Sequence, residues 1–226
     1  MVPMSPPEAD RRPAAIVFDL DGTLVDTVAT RIDAWEGVFA EFGIPVGRAD
    51  LEPMIGMDGR RLAIEVASRA GANLDGAASE EIDRRAGELF DQRNRDPRPL
   101  PGARQLLRRL DDAGVTWAIA TSSRAAQVAA SVAALRLDAP PRIVDGSSVE
   151  RAKPAPDLLL LAAQRLDVDA GACWYVGDST WDMRAAVAAG MLAIGVVAGA
   201  AVDDQALRDA GATVVLDTLD QLTVPD

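Results

Sequence analysis

The chain has no histidine, one cysteine, one tyrosine and a single lysine in 226 residues. Each scarcity removes a class of chemistry. Without histidine there can be no Ser-His-Asp or Cys-His arrangement and no histidine-ligated zinc. One cysteine, Cys173, cannot build an internal disulfide framework. General acid–base work therefore falls to carboxylates, a lysine or a tyrosine. Lys153 stands against 22 arginines (23 basic residues less one lysine), so its position invites a reason. Positive charge is short overall. The net charge of -12 argues against a nucleic-acid-binding surface, which needs clustered basic residues, and against docking on anionic membranes. No apolar run reaches the roughly 20 residues of a bilayer span. The first thirteen residues are polar and proline-rich, without the apolar stretch of a signal peptide, and read as a loose tail on a cytoplasmic protein.

What is present suits a packed core: 49% hydrophobic and 26% charged residues, in a length fitting one domain or a core domain with an insertion. Ala14–Phe18 is a short apolar run ending in acids, as expected of a buried parallel strand. Val28, Ile32, Trp35, Phe39 and Phe42 follow at helical spacing up to Gly43. A second helix is predicted from just after Asp58 to Gly71, through Leu62, Ile64 and Val66, and a third from near Ser79 through Ile82, Ala86, Leu89 and Phe90. Prolines 97, 99 and 101 then form a stiff connector. Beyond it, predicted strands (115–120, 142–144, 172–176, 192–197, 213–216) alternate with helices (103–112, 124–135, 157–166, 180–189, 204–210). This alternation predicts an α/β fold, a doubly wound parallel sheet. The expected organisation is a Rossmann-like core of residues 14–24 and 97–226 with an inserted α-helical cap at 25–96.

In such a sheet ligands bind at the carboxyl ends of the strands. The residues standing there are Asp19 and Asp21, then Thr121 and Ser122, then Asp178 with Asp182 one helical turn on. Lys153 lies in a proline-flanked segment between the third strand and the next helix. Taken singly, each has an ordinary role: an acidic turn, a helix cap, a loop lysine. Together they deliver carboxylates, hydroxyls and one cation to one edge. Converging carboxylates repel unless a hard cation joins them, and oxygen donors suit Mg²⁺. A phosphate beside the metal would meet Thr121, the N–H of Ser122 and Lys153. A carboxylate in line with phosphorus can attack it, and a second carboxylic acid two residues on can protonate the leaving oxygen and then activate water.

At this point the sequence resembles the haloacid dehalogenase-like hydrolases, from Ile16 to about Val215. The signatures run in order: Asp19-Leu20-Asp21-Gly22-Thr23, Thr121, Lys153, and Gly177-Asp178 with Asp182. The helical insertion is similar to the small cap of the phosphoglycolate phosphatase/β-phosphoglucomutase-like subgroup. The resemblance implies that Asp19 is the nucleophile and Asp21 the general acid/base. Mg²⁺ would be held by Asp19, the Asp21 carbonyl and Asp178, with Asp182 supporting it from behind. Thr121, Ser122 and Lys153 would hold phosphate, and the cap would act as a lid. Dehalogenases lack the second Asp, so Asp21 favours phosphoryl transfer. The absence of a cap lysine disfavours a phosphonoacetaldehyde hydrolase. The absence of histidine, whose place falls near Arg31, disfavours a phosphosugar mutase. Arg60, in Met54–Arg61, is the expected cap contact for a second anionic group of the substrate. The expected activity is Mg²⁺-dependent hydrolysis of a small phosphorylated metabolite, with no nucleic-acid or membrane partner, by a monomer or homodimer. A rival of another class is a receiver-like phosphate-binding domain, but its acids, Thr and Lys come in a different order along the chain.

Overall fold

The computed structural model describes residues 12–225. After β1 (Ala15–Phe18) comes a two-residue strand, β2 (Val25–Asp26), then helices α1 (Val28–Glu41), α2 (Arg48–Leu51), α3 (Gly59–Arg69) and α4 (Gly76–Arg93), and a returning strand β3 (Arg98–Pro99). Helices and strands then alternate through α5 (Ala103–Asp112), β4 (Trp117–Ala120), α6 (Ala125–Leu135), β5 (Ile143–Val144) and α7 (Asp157–Leu166). The chain finishes with β6 (Cys173–Gly177), α8 (Thr180–Ala189), β7 (Leu192–Val196), α9 (Asp204–Asp209) and β8 (Val214–Leu216).

Six strands form one parallel sheet in the order β5-β4-β1-β6-β7-β8. β1 reads as an unbroken apolar run because both its faces are covered. Ile16 and Phe18 join a core with Leu106 and Leu107 of α5 and Val128 of α6, whereas Ala15 and Val17 join one with Leu158 of α7 and Met183 of α8. From β1 the chain moves outward through β4 and β5, then returns to the other side of β1 for β6, β7 and β8. Strand order reverses at β1, and such a reversal opens a crevice at the carboxyl ends of the strands. Asp19, Thr121 and Asp178 are each the first residue beyond one of the three adjacent central strands.

The helices between β1 and β3 have a core of their own, in which Ile32, Trp35 and Phe39 of α1 meet Leu62 of α3 and Ile82 and Phe90 of α4. Both ends of this segment pass through an antiparallel ribbon, with Val25 opposite Pro99 and Asp26 opposite Arg98. Two residues assigned from sequence to the buried stripes lie outside: Phe42 is 42% exposed and Ile64 is 46% exposed. Phe42 follows the last residue of α1. Ile64 sits two places after Leu62, a spacing that puts it on another face of the helix. Other departures are small. α2 adds a short helix the periodicity did not predict, and β4 begins at Trp117 rather than at residue 115. Of the thirteen-residue tail expected to be loose, Pro13 is buried and Arg12 donates to the Ala113 carbonyl at 3.0 Å. Its first eleven residues lie outside the described part.

Candidate active site

Asp19 leaves β1 with its N–H bonded to the Val176 carbonyl at 2.8 Å, which anchors it at the crevice. Lys153 Nζ donates to Asp19 Oδ1 at 2.5 Å and to Asp182 Oδ1 at 2.7 Å. Asp182 is turned inward by a local motif: Ser179 caps α8, and the Asp182 carboxylate accepts in return from the Ser179 N–H at 3.0 Å. Its Oδ1 also accepts from the Tyr175 hydroxyl at 2.8 Å and its Oδ2 from Ser179 Oγ at 2.5 Å, so both oxygens are committed. Asp178 Oδ1 accepts from Thr23 Oγ1 at 2.8 Å. Gly22 makes this closure possible. Its φ is +85°, and a Cβ there would lie 2.2 Å from Asp178 Oδ2.

The charge balance is unfavourable for carboxylates alone. Oxygens of Asp19, Asp178 and Asp182 lie within 4.8 Å of one another, all three residues are buried, and Lys153 is the one ammonium beside them among the described residues. Burial pushes Asp19 up to about 7, with Lys153 opposing and Asp182 and Asp21 adding to the rise. Burial also lifts Asp178 well above the usual carboxylate range, reinforced by Asp182 and Asp19. Lys153 would be lowered by burial, but Asp182 and Asp19 outweigh this and keep it charged. One ammonium shared between two carboxylates cannot ionise all three cheaply. A divalent cation removes that deficit. Asp19 Oδ2, Asp178 Oδ2 and the Asp21 carbonyl accept no hydrogen bond among the described residues. That is an all-oxygen donor set fitting Mg²⁺.

Asp21 is held from three sides. Thr27 Oγ1 donates to Oδ1 at 2.8 Å, while Arg31 Nη2 at 2.8 Å and Ser123 Oγ at 2.6 Å donate to Oδ2. Arg31 comes from α1, and its guanidinium lies 3.5 Å from the centre of the Phe90 ring. Thr121 is buried and accepts the Ser123 N–H on Oγ1 at 3.1 Å. Ser122 Oγ donates to the Gly56 carbonyl at 3.3 Å. Ser123 does not cap the following helix. Arg124 precedes α6, with its N–H bonded to Gln127 Oε1 at 2.9 Å, and the Ser123 hydroxyl is spent on Asp21.

The segment between α2 and α3 closes over this edge. The Trp181 indole donates to the Pro53 carbonyl at 3.0 Å, and the Asp58 N–H donates to the Lys153 carbonyl at 3.2 Å. Gly56, at φ +94°, passes so close to Ser179 that a Cβ would stand 2.4 Å from its hydroxyl oxygen. Beneath lies a cavity of about 70 Å³ lined by Asp19, Asp21, Thr121, Ser122 and Lys153, all five predicted from sequence. Asp178 and Asp182 adjoin Asp19 behind it. Arg60 is not in its lining. Asp58 caps α3, and the Arg60 side chain, 45% exposed, turns back to Asp58 at 3.2 Å and toward Glu80 at 3.8 Å. The arginine that does line the cavity is Arg31.

Residues 16–196 match the family model for haloacid dehalogenase-like hydrolases, four-fifths of the chain. The chain belongs to that family. It is 32% identical over 223 residues to a phosphoglycolate phosphatase of Xanthomonas campestris pv. campestris, covering 95% of this chain and 97% of that protein. It is 31% identical over 195 residues to the β-phosphoglucomutase of Bacillus subtilis, covering 82% and 84% respectively. Among solved structures, a hydrolase from Pseudomonas syringae superposes with a TM-score of 0.87 at 30% identity, covering 91% of this chain and 94% of that one.

For this haloacid dehalogenase-like hydrolase, the sequence signatures locate the strand-end residues and miss those that hold them. Arg31 is the omission of most consequence. A signal existed: it stands four residues before Trp35, one turn away on the same side of α1, a cation beside an otherwise apolar stripe. Tyr175, the one tyrosine, sits inside an apolar strand, where a buried hydroxyl needs a partner; here it is Asp182. Asp83 of α4 and Gln127 of α6 also reach the cavity. Nothing in their local pattern distinguishes them from solvent-facing helix positions.

Proposed function

We propose that this protein is a Mg²⁺-dependent phosphatase acting on a small phosphorylated metabolite through an aspartyl-phosphate intermediate. The observation that carries the reading is the grouping of Asp19, Lys153 and Thr121 in one cavity, with Asp178 behind Asp19. The phosphoryl group would be held by Thr121 Oγ1, the Ser122 N–H and the Lys153 ammonium, which offset its charge. Asp19, Asp178 and the Asp21 carbonyl would hold Mg²⁺, which supplies positive charge against the phosphoryl oxygens.

The Asp19 carboxylate adds to phosphorus as the ester P–O bond breaks, and the departing alcohol oxygen takes its proton from the Asp21 carboxyl group. Water then gives a proton to the Asp21 carboxylate and adds to phosphorus. The P–O bond to Asp19 breaks, which restores the carboxylate and releases inorganic phosphate. Arg31, Thr27 and Ser123 fix where the Asp21 carboxyl stands. Asp182 and Tyr175 fix Lys153. The loop from Pro53 to Asp58 excludes water from the intermediate.

The test is phosphate release from a panel of about a hundred phosphorylated metabolites and from p-nitrophenyl phosphate, with and without Mg²⁺. Asp19→Asn should abolish turnover while the fold is kept, and substantial residual turnover would refute the nucleophile. Similarity to a β-phosphoglucomutase supports a second reading, transfer of the phosphoryl group to a sugar hydroxyl. Product analysis with a hexose 1-phosphate separates the two, since a mutase returns an isomeric hexose phosphate and a phosphatase returns inorganic phosphate.

A further inference from the structure

Two polar side chains in the cavity take no part in the chemistry above. Asp83 projects from α4 and Gln127 from α6, and both line the same space as Asp19 and Lys153. Each is anchored by one atom to Arg124. The Arg124 guanidinium donates to Asp83 Oδ2 at 2.7 Å, and the Arg124 N–H donates to Gln127 Oε1 at 2.9 Å. Because an N–H must meet an oxygen, the second bond also settles which end of the Gln127 amide is which. The opposite atoms, Asp83 Oδ1 and Gln127 Nε2, have no hydrogen-bond partner among the described residues.

Both atoms enter over glycine. A Cβ on Gly59 would fall 1.8 Å from Asp83 Oδ1, and one on Gly87 would fall 2.0 Å from Gln127 Nε2. Both glycines also line the cavity. Position 87 is one helical turn beyond position 83 on α4, so a missing side chain there opens the space that Gln127 enters. A fixed acceptor and a fixed donor, each with its other atom tied down, form a preorganised hydrogen-bonding pair.

The charges around them set what such a pair can receive. The titratable groups lining the cavity are Asp19, Asp21, Asp83, Arg31 and Lys153. Arg31 is matched by Asp21 at 2.8 Å, and Lys153 by Asp19 and Asp182 at 2.5 and 2.7 Å. A second anionic group on the substrate would meet the Asp83 carboxylate with no cation in the lining left unmatched. A hydroxyl can donate to Asp83 Oδ1 and accept from Gln127 Nε2.

We propose that Asp83 and Gln127 form a hydroxyl-recognition subsite, and that the leaving group is a neutral, hydroxyl-bearing alcohol rather than one carrying a carboxylate. This rests on the phosphatase reading and narrows its substrate class. Arg124 is a positioning residue for the pair.

The test compares kcat/KM, with Mg²⁺ present, for p-nitrophenyl phosphate, 2-phosphoglycolate and a set of pentose, hexose and glycerol phosphates. At least one hydroxyl-bearing ester should exceed 2-phosphoglycolate by about tenfold or more, the order expected of one or two well-placed hydrogen bonds. Gln127→Ala and Asp83→Asn should each lower the ratio of kcat/KM for that ester to kcat/KM for p-nitrophenyl phosphate by about tenfold. A merely structural role would lower both values together and leave the ratio unchanged. Because the readout is a ratio, partial loss of folded protein does not affect it. Preference for 2-phosphoglycolate, or an unchanged ratio in both variants, overturns the subsite while leaving the phosphatase reading intact. No hydrolysis of any ester, p-nitrophenyl phosphate included, overturns both.

Discussion

Replacing Asp19 by asparagine tests the electrostatics of the site independently of catalysis. Burial and the neighbouring carboxylates move Asp19 from 3.8 to about 7. Between those values the folded chain keeps a proton that the unfolded chain has released. Stability of the metal-free protein therefore falls as pH rises through that window. From about pH 5 to pH 7 this amounts to two pH units at about 1.4 kcal/mol each, or about 3 kcal/mol, and it levels off above pH 7. Asparagine fills the same space, still accepts from Lys153, and does not titrate. Chains of this size shift Tm by about 2–4 °C per kcal/mol. The Tm of Asp19→Asn should thus gain about 6–12 °C on wild type between about pH 5 and pH 8, read by thermal unfolding in EDTA. Comparing the two proteins at each pH cancels the titration of acids remote from Asp19, while the coupled Asp178 stays part of the difference. Saturating Mg²⁺ should narrow the gap at about pH 8, because the ion binds the ionised carboxylate of wild type and stabilises the fold that holds it. A gap of equal size at both pH values would show that Asp19 carries no perturbed proton and that the deficit ascribed to the carboxylate cluster does not exist.

Three further outcomes follow from named contacts. Gly22→Ala forces a side chain into a left-handed turn at φ +85° and against Asp178 Oδ2; Mg²⁺ affinity by calorimetry should fall at least about tenfold, and wild-type affinity would refute the packing argument. Arg31→Met removes the guanidinium from both Asp21 and the Phe90 ring and leaves an unbranched apolar side chain in its place; kcat toward p-nitrophenyl phosphate should drop about tenfold or more, and an unchanged kcat would return Arg31 to a purely structural role. Trp181→Phe deletes the bond to the Pro53 carbonyl, worth about 1 kcal/mol; limited proteolysis between Pro53 and Asp58 should accelerate several-fold, and identical cleavage rates would show that the indole does not hold the loop down.

Much of the architecture could be read directly. The alternation of apolar runs and helical stripes after Pro97, and the helix-only stretch before it, match the observed order of elements, because backbone hydrogen bonding and side-chain periodicity are local properties. The strand-end residues were legible for the same reason: a polar residue ending a buried strand has one edge to occupy. Phe42 and Ile64 were misplaced because their exposure depends on where α1 stops and on the phase of α3. Arg60 stands outside the cavity lining because Asp58 and Glu80, from two elements, compete for its guanidinium.

By itself, then, the sequence determined the parallel sheet, the helical insertion and the reading of Asp19, Asp21, Thr121, Lys153, Asp178 and Asp182 as one constellation. The tertiary structure alone decided which side chains support them. Arg31 and Ser123 lie 92 residues apart, yet both hold Asp21. Arg124 joins α6 to α4 through Asp83, 41 positions away. Such partners are selected by packing between elements whose side chains carry no local mark of it, so only the folded chain brings them together.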